Sequence, residues 1–220
     1  MGVSRRNGPA GSLTDVPGNN PRRIGVLGGT FDPPHNGHVL AGIEARDRLN
    51  LDLVVFTVAN DPWQKTGVGG LREAGLTRAE LRLSMVEAAL EGHRGLQADD
   101  LEMKRGGPTY TADTLVELEE RYPGADLFLL IGSDVASALD SWVRPDEVRR
   151  HATIVVMDRP GHDGGRPSSG WNYELLEAPL LEMSAVEIRT RVGSGKSVDG
   201  EVPVGVADLI EQHGLYRTQR

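Results

Sequence analysis

The chain has 220 residues, 38% hydrophobic and 25% charged, enough for one α/β domain with a large core and short for two. Thirty-two acidic against 24 basic residues leave a formal charge of −8, which argues against wrapping a nucleic-acid backbone, since such binding uses a basic surface to displace counterions. No apolar run reaches the roughly 18 residues of a membrane span, and the absence of cysteine excludes disulfide frameworks, thiolate metal sites and thiol nucleophiles.

Residues 1–22 carry Arg5, Arg6 and Arg22 among Gly, Pro, Asn and Ser without the apolar segment of a secretory signal. They read as a disordered tail before a single domain over 23–220, and the cytoplasm is the expected compartment. Ile24-Gly25-Val26-Leu27 predicts a buried strand that stops where Gly28 and Gly29 permit a turn. Val39, Leu40, Ile43 and Leu49 fit a helix over 38–49, and 53–58 reads as a second buried strand, making a βαβ start. Residues 59–76, with Pro62, Trp63, Lys65 and several glycines, predict a long loop of the kind that is functional or disordered. Thr77 is placed to cap a helix running to about Leu90, with Glu80 completing a capping box. A short strand over 96–98, a helix over 111–121, a buried strand over 126–131 ending at Gly132 and a strand over 152–157 follow. A Gly/Pro/Ser loop over 159–170 precedes helices over 185–192 and 204–213. This alternation predicts an α/β, Rossmann-like, mostly parallel sheet with helices on both faces and a ligand crevice beyond the carboxyl ends of its strands. The loops after Leu27, Val58 and Ile131 then share one edge.

The first of these loops carries Gly28-Gly29-Thr30-Phe31-Asp32-Pro33-Pro34-His35-Asn36-Gly37-His38. Gly28 and Gly29 allow close approach of backbone to a phosphate, and Thr30 offers both N–H and hydroxyl. Pro33 and Pro34 hold an extended path and delay the next helix to about 36–38. His35 and His38, three apart, present their rings on one side of an incipient turn, where helix N–H groups and dipole favour an anion. Two imidazoles in that place suit phosphoryl or nucleotidyl transfer, where positioning and charge stabilisation dominate and no general base is required. The plainer alternative is an ordinary Gly-Gly turn with histidines as caps or surface residues. Neither G-x-G-x-x-G nor G-x-x-x-x-G-K-[ST] is present. A zinc ion would need more than the one neighbouring carboxylate, Asp32, so no protein-held metal is expected.

The eleven-residue string resembles the signature of bacterial nicotinate-nucleotide adenylyltransferases within the HxGH nucleotidylyltransferase superfamily. The likeness spans about residues 23–217. It includes Asp61-Pro62-Trp63-Gln64-Lys65, the run from Gly106-Gly107-Pro108-Thr109-Tyr110-Thr111 to Leu115, Ile131-Gly132-Ser133-Asp134, Ser141-Trp142, Arg159-Pro160-Gly161 and Gly214-Leu215-Tyr216. The resemblance implies transfer of AMP from ATP, with Mg²⁺, to nicotinate mononucleotide, giving the deamido dinucleotide and pyrophosphate in NAD biosynthesis. It implies catalytic roles for His35, His38 and Arg189, and ATP contacts from Gly28, Gly29, Thr30, Phe31, Gly132, Asp134 and Ser184. It further implies acceptor contacts from Lys65, Thr109, Tyr110 and Trp142, with Thr109 and Tyr110 holding the nicotinate carboxylate and Trp142 stacking on the ring. Thr109 or Thr111 also suits a helix cap, Trp142 a place at the core edge, and Ser133 or Asp134 an N-cap. Ala185 and Val186 depart from the family's Ser-Ser-Thr-x-Ile-Arg pattern, which leaves Ser184, backbone N–H groups and the following helix start to meet the ATP phosphates. The same chemistry on nicotinamide mononucleotide or another phosphate ester, and a silent nucleotide-binding protein, are the rival readings. A homo-oligomer is compatible with the sequence.

Overall fold

The computed structural model describes residues 21–61, 75–158, 164–178, 181 and 183–217. Six strands form one all-parallel sheet: β1 (Arg23–Gly29), β2 (Leu53–Val58), β3 (Leu96–Asp99), β4 (Asp126–Gly132), β5 (Thr153–Asp158) and β6 (Tyr173–Glu177). Their spatial order, β3-β2-β1-β4-β5-β6, reverses direction between β1 and β4. In an open α/β sheet that reversal opens a crevice at the strands' carboxyl ends.

The strand sequences explain the two layers around the sheet. All six residues of β2 are buried, as a parallel strand covered on both faces requires. Val54, Phe56 and Val58 point to one face, where Val39 and Ala45 of α1 (Asn36–Arg48), Met85, Val86 and Ala89 of α2 (Ala79–Leu90), Ile188 of α7 and Val206 and Ile210 of α8 close the first core; α7 is Ala185–Gly193 and α8 Val204–Gln212. Leu53 and Val55 point the other way, into a second core with Leu101 of α3 (Leu101–Arg105), Ala112, Leu115 and Leu118 of α4 (Thr111–Arg121), Ala136 of α5 (Ser133–Ala136) and Val148 of α6 (Pro145–His151). Helices on both faces of a parallel sheet are thus the observed architecture.

Several details differ from the sequence expectation. Arg22, assigned to the tail, donates its N–H to Asp52 Oδ2 at 2.8 Å and accepts from the Asp126 N–H, so the ordered chain reaches back to it; residues 1–20 lie outside the described set. The capping residue of α2 is Arg78, with no capping side chain, rather than Thr77. Thr77 is buried, and its N–H goes to Asp32 Oδ2 at 3.2 Å, a tertiary partner that takes the place of the local cap. The short helices α3 and α6 and the edge strand β6 were not anticipated. Among the described residues no helix is long and apolar enough to cross a membrane.

Candidate active site

At the end of β1 the chain turns through Phe31, at φ 50°, and a cis Asp32–Pro33 peptide. Phe31 is buried and packs edge-on beneath His38, with ring centroids 5.0 Å apart, and against Phe56 at 5.8 Å. A Cβ at Gly29 would come within 2.8 Å of that ring, so the glycine makes room for it. The ring of Phe31 therefore supports His38 from the core side.

His35 is the N-cap of α1, and its ring stacks on that of His38 at 3.6 Å and 21°. The His35 N–H donates to His38 Nδ1 at 3.2 Å. That bond makes Nδ1 an acceptor, so a neutral His38 carries its proton on Nε2. Gly37 is a contact requirement here, since a Cβ would press on His35 Nδ1 at 3.0 Å. Burial pulls the His35 imidazole down to about 4, so it is neutral near pH 7. The expectation that helix N–H groups help to hold the anion is narrowed. The Asn36 N–H goes to the Glu201 carbonyl, and the His38 and Val39 N–H groups go to the His35 carbonyl. The imidazoles and the Gly37 N–H are left as donors of this turn.

Asp32 ties the loop to three other segments. Its Oδ1 accepts from the Tyr216 hydroxyl at 2.6 Å, its Oδ2 from the Thr77 N–H, and its carbonyl from Arg189 Nη1 at 2.7 Å. Arg189, four residues into α7, is thereby brought to the histidine loop. Burial and the Asp32 charge push the Tyr216 phenol upward, keeping it a hydroxyl donor. Beneath them lies Arg82, 1% exposed, whose guanidinium donates to the carbonyls of Thr77 (2.9 Å), Thr30 (2.7 Å) and Asn60 (3.3 Å). It shares the buried stripe of Met85, Val86 and Ala89 at helical spacing. Sequence reasoning missed it, although a lone arginine in an apolar i, i+3, i+4, i+7 pattern was the available signal.

Between the ends of β1, β2 and β4 lies a cavity of about 120 Å³, lined by Gly28, Gly29, Thr57, Thr109 and Trp142 with the carboxylate residue Glu102. Trp142 is half-buried: it packs on the second core, as a core-edge residue would, and also lines the cavity. Tyr110 is the N-cap of α4, its ring 6.0 Å below the Arg144 guanidinium, and Arg144 pairs with Asp113 at 2.5 Å. The Thr109 N–H is committed to the Asp61 carbonyl at 3.1 Å, and its hydroxyl accepts the Asn60 N–H at 3.1 Å. Thr109 therefore does not present its N–H to a ligand in this conformation. Glu102 was not singled out from sequence; its place beside Leu101, just before Gly106 and Gly107, resembles an ordinary solvated charge.

Gly132 is the N-cap of α5 at the β4 end, on the same edge, and Asp134 folds its carboxylate over the space a Cβ would fill. Ser184 is the N-cap of α7 but makes no capping side-chain bond, and Val186 in the first turn is exposed. Lys65 and Trp63 of the long loop, with Arg159-Pro160-Gly161, lie outside the described residues.

A six-stranded parallel sheet with paired histidines at its switch point defines a nucleotidyl-transfer class of fold, and the Cytidylyltransferase-like family matches residues 26–191. The chain is 40% identical over 199 residues to a Leifsonia xyli protein, covering 89% of this chain and 94% of that one, and 36% identical over 210 residues to one from Mycolicibacterium vanbaalenii, covering 92% and 95%; both bear the name probable nicotinate-nucleotide adenylyltransferase. In fold it is similar to the Plasmodium falciparum nicotinic acid mononucleotide adenylyltransferase complexed with NaAD, at TM-score 0.69 and 21% identity over 89% of this chain and 97% of that one. The chain belongs to the nicotinate-nucleotide adenylyltransferases, a family of nucleotidyltransferases.

Proposed function

We propose that in the cytoplasm this enzyme transfers AMP from ATP to nicotinate mononucleotide, a step of NAD biosynthesis. The observation that carries the reading is the stacked His35–His38 pair at the start of α1, with Arg189 bonded into the same loop. A phosphate oxygen of the mononucleotide attacks the α-phosphorus of ATP, the bond from that phosphorus to its β-bridging oxygen breaks, and pyrophosphate leaves. The phosphate is already a competent nucleophile, so the protein's work is alignment and stabilisation of charge on the transferring group. His38 donates from Nε2, neutral His35 donates beside it, Thr30 positions phosphate, and the planar fork of Arg189 meets the departing oxygens. Gly28, Gly29, Gly132, Asp134 and Ser184 complete the ATP side. Mg²⁺ entering with ATP would supply a hard positive charge to offset that of the phosphates.

On the acceptor side, Trp142 stacks on the pyridine ring and Lys65 meets the mononucleotide phosphate. With the Thr109 N–H committed to Asp61, the nicotinate carboxylate is assigned to the N–H of Thr111, which lines the cavity and which a helix start leaves without an intrahelical partner. Tyr110 caps that turn. The relatives' names and the NaAD-bound Plasmodium enzyme support the acid as acceptor. Purified protein incubated with ATP and Mg²⁺ is expected to release pyrophosphate fastest with nicotinate mononucleotide. Equal rates with nicotinamide mononucleotide would remove the acid assignment, and release with no mononucleotide would remove the activity.

A further inference from the structure

The cavity assigned to the pyridine ring has one wall that the carboxylate-binding reading leaves unused. Glu102, on α3, is 4% exposed, and its Oε1 accepts from the Thr114 hydroxyl at 2.7 Å. Its Oε2 is buried without a hydrogen-bond partner. Arg105, whose charge reaches Glu102, gives its hydrogen bonds elsewhere: to Glu117 at 2.8 Å and the Thr114 hydroxyl at 3.2 Å. Glu102 lines the cavity, and a buried carboxylate with no ion-pair partner among the described residues is costly unless a cation is brought beside it. The acceptor loop has other supports, Asn60 Nδ2 to the Gly107 carbonyl at 3.0 Å and the Thr109 N–H to Asp61, so holding that loop does not account for Oε2.

We propose that Glu102 is a specificity-determining residue, supplying the counter-charge for a cationic pyridinium ring bound in this cavity. The inference rests on the reading above that the acceptor is a pyridine mononucleotide. Such a nucleotide bears a permanent positive charge at its quaternised ring nitrogen, whether its substituent is acid or amide. The acid form is thus a zwitterion at its head group, and the pocket offers a match for each sign: the Thr111 N–H for the carboxylate, Glu102 for the ring. Trp142 adds a π face that also favours a cation. Burial raises the affinity of Glu102 for a proton, while the hydroxyls of Thr114 and Thr109 and the charge of Arg105 oppose that rise and Glu117 reinforces it; Arg82 also lies within electrostatic reach. A cation entering the pocket favours the ionised form.

The test compares the oxidised acid and amide mononucleotides with their 1,4-dihydropyridine forms, which keep ribose, phosphate and substituent but carry a neutral ring. In the full chain with ATP and Mg²⁺, Glu102→Gln keeps the size and the Thr114 contact and removes the charge. It is expected to lower kcat/KM for both oxidised acceptors by about tenfold or more, with little change for the dihydro forms and an unchanged acid-to-amide ratio. An equal loss on oxidised and dihydro acceptors, as a merely structural residue would produce, overturns the proposal, as does no loss. Calorimetry on the wild-type protein decides the matter even where the variant fails to fold: tighter binding of the oxidised than of the dihydro mononucleotides is expected, and equal affinity overturns the proposal. A wild-type protein that binds these nucleotides without turning them over would sink the proposed activity and leave the charge question still answered by the same titration.

Discussion

His35 combines two demands that pull its protonation in opposite directions. A phosphoryl group favours an imidazolium, whereas burial of the ring against α1 holds its pKa at about 4. An unfolded chain takes up this proton near 6.5, so between about 4 and 6.5 the unfolded state binds more protons than the native one. The resulting stabilisation of the fold is fully present above about pH 6.5 and is lost as the pH falls toward 4, with an upper figure of roughly 3 kcal/mol. His35→Gln, which cannot ionise, is expected to show a shallower fall in Tm between pH 7 and 4.5 than the wild type, because every other titrating group is common to both. Parallel curves would mean that the imidazole is not held neutral. The same variant is expected to lose about two orders of magnitude in kcat/KM at pH 7.5, the usual scale for removal of one charge-stabilising donor.

The start of α7 is the element where the chain departs from the Ser-Ser-Thr-x-Ile-Arg pattern that the family resemblance implies. Ser184 precedes Ala185 and Val186 there, and Arg189 on the same helix reaches the Asp32 carbonyl. If the first turn of α7 meets the triphosphate through N–H groups and the Ser184 hydroxyl alone, restoring two hydroxyls adds contacts to ATP and none to the acceptor. Ala185→Ser with Val186→Thr is therefore expected to lower the KM for ATP about three- to tenfold, as one to two net hydrogen bonds would, while the acceptor KM stays fixed. An unchanged KM for ATP in steady-state kinetics would place the triphosphate elsewhere. Elements with a dominant local signal, such as β1, β2, α4 and β4, were legible because buried strands read as unbroken apolar runs and α4 has a clear amphipathic stripe. Helix α6 was not, since only Val148 of its seven residues is buried, although Pro145 and the acidic first turn are proper start signals. Strand β6 was hidden for a related reason: at the sheet edge Leu176 is buried and its neighbour Leu175 exposed, a pattern too short to show a period. At Thr77, a residue suited to a local cap instead gives its backbone N–H to the Asp32 carboxylate, a tertiary bond that no local pattern encodes.

At the scale of the whole molecule, the two sites proposed above stand on different loops and must hold a fixed separation, and Arg82 bonds to both loops. Its bonds to the Thr30 and Asn60 carbonyls join the loop after β1, which carries the histidines, to the loop after β2, whose Asn60 holds Thr109 and Gly107 of the acceptor loop. The nucleotide string of the first loop could be read from sequence because its chemistry is concentrated in eleven consecutive residues; the coupling between sites could not, because Arg82, Asp32 and Tyr216 come from segments far apart in the chain. Burying a guanidinium is tolerated only while its donors are used, and removing it would leave three carbonyls without their donor. Arg82→Met is accordingly expected to cost about 2–4 kcal/mol in urea denaturation and to raise the KM for ATP and for the acceptor together, with a fall in kcat because the reacting phosphates lose alignment. Arg82→Lys has one compact ammonium for three diverging carbonyls and should fall between the two. A stability loss with both KM values intact would show that Arg82 only fills the core. A rise in one KM alone would show that it supports a single loop, and that the separation between the sites is set instead by the strand register of β1 on β2, Gly28 against Thr57 and Gly29 against Val58.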